Sequence, residues 1–250
     1  MLFVNRRDAG RQLAKRLSEL QSETPVVLGL PRGGVPVAAE VAARLQAPLE
    51  VLIVRKLGCP WQPELGIGAI GEGGVRVLND ELIARLGVSA AELDAVGVRE
   101  WAELTRRARA YRGTRPAVPV EDRVVVVVDD GLATGFTARA AIAVLRRQGT
   151  RRVVLAVPVA PLATADQLLA VADEVVCLHT PTRFLGISAF YEDFRQTSDD
   201  EVRHLLTGTS AEVAAAAHYS GPTIRPGRTR TPSPTSPRSG SSPAGDRAFS

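Results

Sequence analysis

Residues 124–137 read Val-Val-Val-Val-Val-Asp-Asp-Gly-Leu-Ala-Thr-Gly-Phe-Thr. Five consecutive β-branched residues leave no polar alternate, so a strand built from them buries both faces, as a central strand of a helix-covered parallel sheet does. Asp129 and Asp130 then stand at its carboxyl end, where open α/β sheets bind their ligands. The loop beyond them opens a helix, whose first turn offers unpaired backbone N–H groups and a positive dipole end to an anion. Gly131 and Gly135 let the backbone approach closely, and Thr134 and Thr137 add hydroxyls. Two acids beside an anion cradle fit a ligand that carries both a diol and a phosphate. A ribose 5-phosphate does: its hydroxyls donate to the carboxylates, much as a ribose donates to the acid of dinucleotide-binding folds.

The chain around this segment alternates strands with helical stretches, which predicts a mostly parallel sheet with helices on both faces. Ala9, Leu13, Leu17 and Leu20 make one apolar stripe, predicting a first helix over Asp8 to Leu20. Strands are expected at Val26–Leu30 and Leu49–Val54, separated by a helix ending near Gln46. Leu57 to Leu78 is rich in Gly and Pro and reads as a loop. Two helices follow, the second opened by the capping box Ser89-x-x-Glu92. Beyond the valine strand and its helix come a strand over Val153–Val157, a helix with Pro161 near its first turn, and a strand over Glu174–Leu178. Ser198-x-x-Glu201 starts a closing helix.

A second cluster, Leu30-Pro31-Arg32-Gly33-Gly34-Val35-Pro36, also joins a strand to a helix. Alone it is an ordinary tight turn. Paired with the acid motif it supplies a second anion cradle, with Arg32 to screen charge. Together the two motifs resemble the type I phosphoribosyltransferases, and residues 1 to about 206 resemble a bacterial group of predicted phosphoribosyltransferases of unassigned substrate. The resemblance implies a Rossmann-like α/β fold with a small hood over residues 179–196 and a flexible catalytic loop over 57–78. It implies that Asp129 and Asp130 bind the ribose of phosphoribosyl diphosphate (PRPP). Gly131, Leu132, Ala133, Thr134, Gly135, Phe136 and Thr137 would hold the 5′-phosphate. Arg32, Gly33 and Gly34 would hold the diphosphate, with a cis peptide expected at Arg32-Gly33.

The same resemblance makes Arg55 and Lys56 the basic pair beside the diphosphate, at the end of the next strand, and gives them a catalytic role. The implied reaction is transfer of the phosphoribosyl group to a nitrogenous, nucleobase-like acceptor with release of diphosphate. Mg²⁺ is the implied cofactor, carried mainly by PRPP oxygens and touched indirectly by Asp129 and Asp130. In the hood, Phe184, Leu185 and Tyr191 are the candidates for gripping the acceptor. Hypoxanthine-type relatives carry an acid where this loop has Ala133, which argues against hypoxanthine or guanine; adenine-type relatives also have Ala there. Phe136 is bulkier than the small residue expected and is read as pointing to solvent.

Charge and composition bound the alternatives. The whole net charge of +4 is carried from Tyr219 onward by Arg225, Arg228, Arg230, Arg238 and Arg247 against Asp246. That segment is otherwise mostly Gly, Pro, Ser and Thr, so residues 219–250 are expected to be a disordered tail, with 207–218 a short helical or irregular extension. A folded part without net positive charge, and without a helix-turn-helix segment before it, argues against nucleic-acid binding. No apolar run is long enough to span a bilayer and the charged start is no signal peptide, so the cytoplasm is the expected compartment. Cys59 and Cys177 lack a Cys-x-x-Cys spacing, and His179, His204 and His218 lack metal-ligand spacing. Neither a Gly-x-Ser-x-Gly elbow nor a Walker lysine is present, which removes the commonest hydrolase and kinase signatures. A PRPP-sensing regulatory protein is the main alternative to a transferase. A transferase with an unusual acceptor is a third reading, and homodimerisation is common among the relatives.

Overall fold

The computed structural model of the protein describes residues 2–208. Its first half contains α1 (Arg6–Arg16), a 3₁₀ turn (Ser18–Glu23), β1 (Val26–Gly29), α2 (Gly34–Leu45) and β2 (Leu49–Val51). Next come β3 (Val54–Cys59), β4 (Gln62–Gly71), β5 (Val75–Leu78), α3 (Asp80–Leu86) and α4 (Ala90–Arg112). The second half contains β6 (Val124–Val128), α5 (Phe136–Arg147), β7 (Arg152–Val159), α6 (Leu162–Leu169) and β8 (Glu174–His179). A last helix, α7, occupies 199–208. The expectations for 209–250, including the basic tail and His218, fall outside the described residues.

Strands β2-β1-β6-β7-β8 form, in that order, one parallel sheet. The valine run is its centre and accounts for its two covered faces. Val126 and Val128 enter one apolar core with Leu13, Leu17 and the inner face of α2. Val125 and Val127 enter a second core with Ala141, Ile142 and Leu145 of α5 and Leu168 of α6. Each buried valine contributes roughly 1.5–3 kcal/mol relative to exposure, so this strand alone anchors both layers.

Local chemistry sets the helix starts. Asn5 caps α1 by accepting from the Asp8 N–H at 2.9 Å. The capping box at Ser89 and Glu92 is formed as expected. Ser198 accepts from the Glu201 N–H at 3.1 Å and opens α7. The first helix is shorter than its apolar stripe suggested. It ends at Arg16, and Leu20 reaches the core from the 3₁₀ turn.

The clearest departure lies at 57–78, read from sequence as a loop. Residues 54–78 instead fold into a three-stranded antiparallel sheet, β3-β4-β5, with Leu57, Ile67 and Ile70 buried. The glycines within its strands serve close packing. A Cβ at Gly71 would strike the Val144 side chain of α5, and one at Gly66 would strike the Phe136 ring. Glycine in a strand at a point of close approach masks the alternation that would reveal the strand.

A buried ionic group fastens this small sheet to the main one. Arg112, the last residue of α4, lies 3.1 Å from Glu50 of β2 through Nε. Its Nη1 and Nη2 grip both oxygens of Glu72, in the β4–β5 connection, at 2.8 and 2.9 Å. Three separate elements therefore converge on one guanidinium.

Candidate functional site

Strand β6 delivers Asp129 and Asp130 to the carboxyl edge of the sheet, and three loops close around them. The first is the glycine loop. Leu30 donates from its N–H to the Val128 carbonyl at 2.9 Å, which draws residues 30–34 against the end of β6. Contact is so close that a Cβ at Gly33 would collide with the Asp130 carboxylate, and one at Gly34 would lie 2.5 Å from the Val128 carbonyl oxygen. Only glycine fits at both positions. The cis peptide in this loop is Pro31-Arg32, one bond earlier than the Arg32-Gly33 position expected from sequence. The N–H groups of Arg32 and Gly33 make no hydrogen bond among the described residues.

The second loop, 131–135, runs into α5. Gly135 takes a positive φ of 69° as the N-cap. A Cβ there would press on Thr164 and Leu168 of α6, and Thr164 donates to the Ala133 carbonyl at 3.0 Å. So α6 buttresses the loop from behind. Between Ala133 and Ala138 no backbone N–H meets an acceptor among the described residues, as the open end of a helix requires. Phe136 is partly exposed, but its ring is packed against Gly66 of β4 rather than directed wholly to solvent. The small sheet thus stands directly over the start of α5.

The third element is the segment 179–196. Tyr191 is buried and its hydroxyl donates to the Asp130 carbonyl at 2.6 Å. Its ring packs on Phe3 and Phe194. Burial raises the phenol's pKa, with the charge of Asp130 second. The hydroxyl therefore stays a donor. This places Tyr191 beneath the acid turn as a support, and corrects the expectation that it grips the acceptor. Phe184 stacks on Phe190 with centroids 5.7 Å apart, whereas Leu185 is strongly exposed. The N-terminal residues pin the segment: Leu2 and Phe3 donate to the Phe190 carbonyl, and Glu192 and Asp193 donate back to Phe3 and Val4.

Within the acid pair the two carboxylates differ. Asp129 Oδ1 accepts from the Asp130 N–H at 2.9 Å. Asp130 Oδ2 accepts from Arg6 Nε at 2.7 Å. Among the described residues no other residue's N–H reaches Asp129 Oδ2 or Asp130 Oδ1, and the two carboxyl groups lie within hydrogen-bond reach of each other. Burial holds the Asp129 carboxyl well above the usual range, and the adjacent Asp130 charge adds to it. Asp130 is also raised by burial, with Arg6 opposing the rise. Two carboxylates in one poorly solvated turn favour sharing a site with donors or a cation.

The basic residues expected at the diphosphate are each engaged. Arg55 lies inside β3, not at the end of β2, and both its Nε and Nη2 donate to Glu100 of α4, at 3.0 and 2.6 Å. Lys56 meets Glu64 at 3.2 Å on an exposed part of the hairpin. Arg32 faces Asp199 at 3.6 Å, and Asp199 also accepts from Tyr111 at 2.9 Å. Sequence reasoning missed Arg6, Glu100, Asp199 and Thr164. Their partners lie 31 residues or more away, and Arg6 is 124 residues from Asp130. No local pattern marks such contacts.

No group of three or more His, Cys, Asp or Glu that could hold a metal occurs among the described residues, and no described helix is long and apolar enough to cross a membrane. The oxygens of the two carboxyl groups are hard donors. They suit a cation carried mostly by a substrate's own oxygens rather than by a protein cage.

Comparison with known proteins agrees with this geometry. A Mycobacterium tuberculosis protein assigned by name to the phosphoribosyl transferases is 54% identical over 215 residues. The match covers 86% of this chain and 48% of that protein, so the chain spans about half the length of the curated relative. The crystal structure of the protein TT1426 from Thermus thermophilus is 45% identical, with a TM-score of 0.77, covering 83% of this chain and 99% of that one. Residues 5–195, which contain both glycine loops, the acid pair and the segment above them, match the family described as the phosphoribosyl transferase domain, and the chain belongs to that family.

Proposed function

We propose that the protein binds PRPP and transfers its phosphoribosyl group to a nitrogenous acceptor, releasing diphosphate. One observation carries the reading. A single turn presents the paired carboxyl groups of Asp129 and Asp130, hydrogen-bonded to each other, beside the run of unpaired amides from Ala133 to Ala138. Two acceptors suit a vicinal diol, and the amides at the start of α5 suit the phosphate on the same sugar.

In this reading the 5′-phosphate rests on the loop 131–137 through the free N–H groups from Ala133 onward, the Leu132 N–H being taken by the Val159 carbonyl at 2.9 Å, and the ribose hydroxyls donate to Asp129 and Asp130. The diphosphate meets the open N–H groups of Arg32 and Gly33. Displacing it from the anomeric carbon gives a cation-like sugar and a departing anion, so donors aimed at the leaving oxygens lower the barrier. Mg²⁺, when bound through the substrate's oxygens near Asp129 and Asp130, supplies further positive charge to the leaving group. Lys56 and Arg32 are the side chains best able to turn to the diphosphate. Their present partners, Glu64 and Asp199, are solvent-exposed, and such pairs are worth only ~0–1 kcal/mol. Arg55, held by two hydrogen bonds to the largely buried Glu100, instead ties α4 to the small sheet.

Acceptor contact falls to the 179–196 segment, at the exposed Leu185 and the half-buried Phe184. The test is diphosphate release from PRPP and Mg²⁺ in the presence of pooled purine, pyrimidine and related heterocyclic bases. Base-dependent release is the expected result. PRPP binding without release under any pool would contradict transfer to such acceptors and turn the reading to a PRPP-sensing protein.

A further inference from the structure

Arg6 occupies the first turn of α1 and is the cation that touches the acid pair among the described residues. Three restraints fix its guanidinium. Nε donates to Asp130 Oδ2 at 2.7 Å, Nη1 donates to the Arg195 carbonyl at 2.7 Å, and its central carbon lies 3.8 Å from the centre of the Phe194 ring. The side chain is 11% exposed, yet it also lines a cleft of about 430 Å³ formed with Asn5, Arg7, Gln196, Thr197 and Ser198.

These restraints act on Asp130. The terminal torsion of an aspartate is broad and two-fold, so its own rotamer preference does not decide which oxygen faces a ligand. Gly33 leaves space for Oδ2 where any side chain would collide with it, and Arg6 binds that same oxygen. No other residue's N–H reaches Oδ1 among the described residues. The Tyr191 hydroxyl holds the carbonyl of the same residue, so backbone and carboxylate are both set by groups from outside the loop.

We propose that Arg6 is a positioning residue of the ribose site: it holds Asp130 with Oδ1 presented to a ribose hydroxyl and ties that orientation to hood residues 194 and 195. The inference rests on the PRPP reading above and adds a residue to it. Arg6 acts through Asp130 and touches no reacting atom.

Calorimetric titration of the wild type, Arg6→Ala and Arg6→Lys with three probes tests it: PRPP, ribose 5-phosphate and inorganic diphosphate. Losing a charge-assisted hydrogen bond that orients Asp130 should weaken ribose 5-phosphate and PRPP roughly 10-fold or more in Arg6→Ala. Diphosphate, which does not use Asp130, should change by less than about 2-fold if the loop is intact. Millimolar guanidinium ion should restore part of the ribose 5-phosphate affinity of Arg6→Ala and leave the wild type unchanged. Arg6→Lys keeps the charge without the fork or the stacked plane, and should fall between the two. Equal ribose 5-phosphate affinity in all three proteins would overturn the inference, as would a diphosphate loss matching that of ribose 5-phosphate, which would mark a general structural role. A wild type that binds diphosphate but neither sugar phosphate would instead contradict the ribose reading itself.

Discussion

Replacing Arg112 by Met tests whether the small sheet is a docked layer or a loose flap. The Arg112 side chain is 7% exposed, that of Glu50 5% and that of Glu72 18%. Methionine roughly keeps the volume and removes the only cation among three converging groups. Breaking a buried pair by removing one partner costs about 3–5 kcal/mol, because the remaining charge is left uncompensated in a poorly solvated site. Here two carboxylates are stranded, so the upper half of that range is expected. For a domain of this size each kcal/mol corresponds to about 2–4 °C, giving a fall in midpoint on the order of 10–20 °C. Glu50→Gln combined with Glu72→Gln in the Arg112→Met background removes both stranded charges and should recover much of the loss. Thermal and urea unfolding followed by circular dichroism read both variants. A loss under about 1 kcal/mol for Arg112→Met would refute the argument. It would mean that the guanidinium exchanges freely with water and that β3-β4-β5 is only weakly attached.

The contact between the hairpin and the phosphate loop gives a second expectation. Gly66→Ala should cost roughly 1–3 kcal/mol by overpacking against Phe136. Phe136→Ala in the same chain should return part of it, and simple additivity in a double-mutant cycle would show that the two residues do not touch. Asp173 provides a pH test away from the site. Burial pushes its carboxyl up, but the Val153 N–H at 2.6 Å and Arg146 at 2.8 Å outweigh this, and the pKa ends below the ordinary value. Its contribution is present above the unfolded pKa of about 4 and fades as pH falls through the lower folded value. Asp173→Asn should therefore destabilise the protein at neutral pH and flatten the acid side of its stability profile. Urea midpoints measured from pH 7 down to pH 3 that run parallel for both proteins would contradict this.

The parts of the fold legible from sequence were those written in local patterns. Five valines require a strand with two buried faces, and Val126 and Val125 do pack into opposite cores. Ser89-x-x-Glu92 names a helix start because both hydrogen bonds close within four residues. The loop at Gly131 and Gly135 was legible as a close approach to a ligand, and the Gly33-Gly34 turn as an anion cradle; that Gly135 also presses on α6 and Gly33 on the Asp130 carboxylate is tertiary.

What escaped was long-range. In the run Leu65-Gly66-Ile67-Gly68-Ala69-Ile70-Gly71 the glycines mask the strand alternation and imitate a flexible loop until α5 is seen lying against Gly66 and Gly71. Arg55 and Lys56 are legible as basic residues near a strand end. That Arg55 is committed to Glu100, 45 residues away, is a tertiary fact. Tyr191 illustrates the same limit in reverse. An aromatic in a variable segment suggests ligand stacking, whereas its hydroxyl is spent on the Asp130 carbonyl and its ring on Phe3. Arg6 carries no local signal: nothing near Asn5-Arg6-Arg7 in the chain points to an acid 124 residues later.

The account turns on the acid pair, and titrating PRPP with Mg²⁺ into the wild type and into Asp129→Asn/Asp130→Asn tests it most directly. Saturable binding to the wild type is predicted, with no measurable binding to the double variant although its circular dichroism and unfolding midpoint show a folded domain. Unchanged PRPP affinity in a folded double variant would contradict the placement of the ribose site.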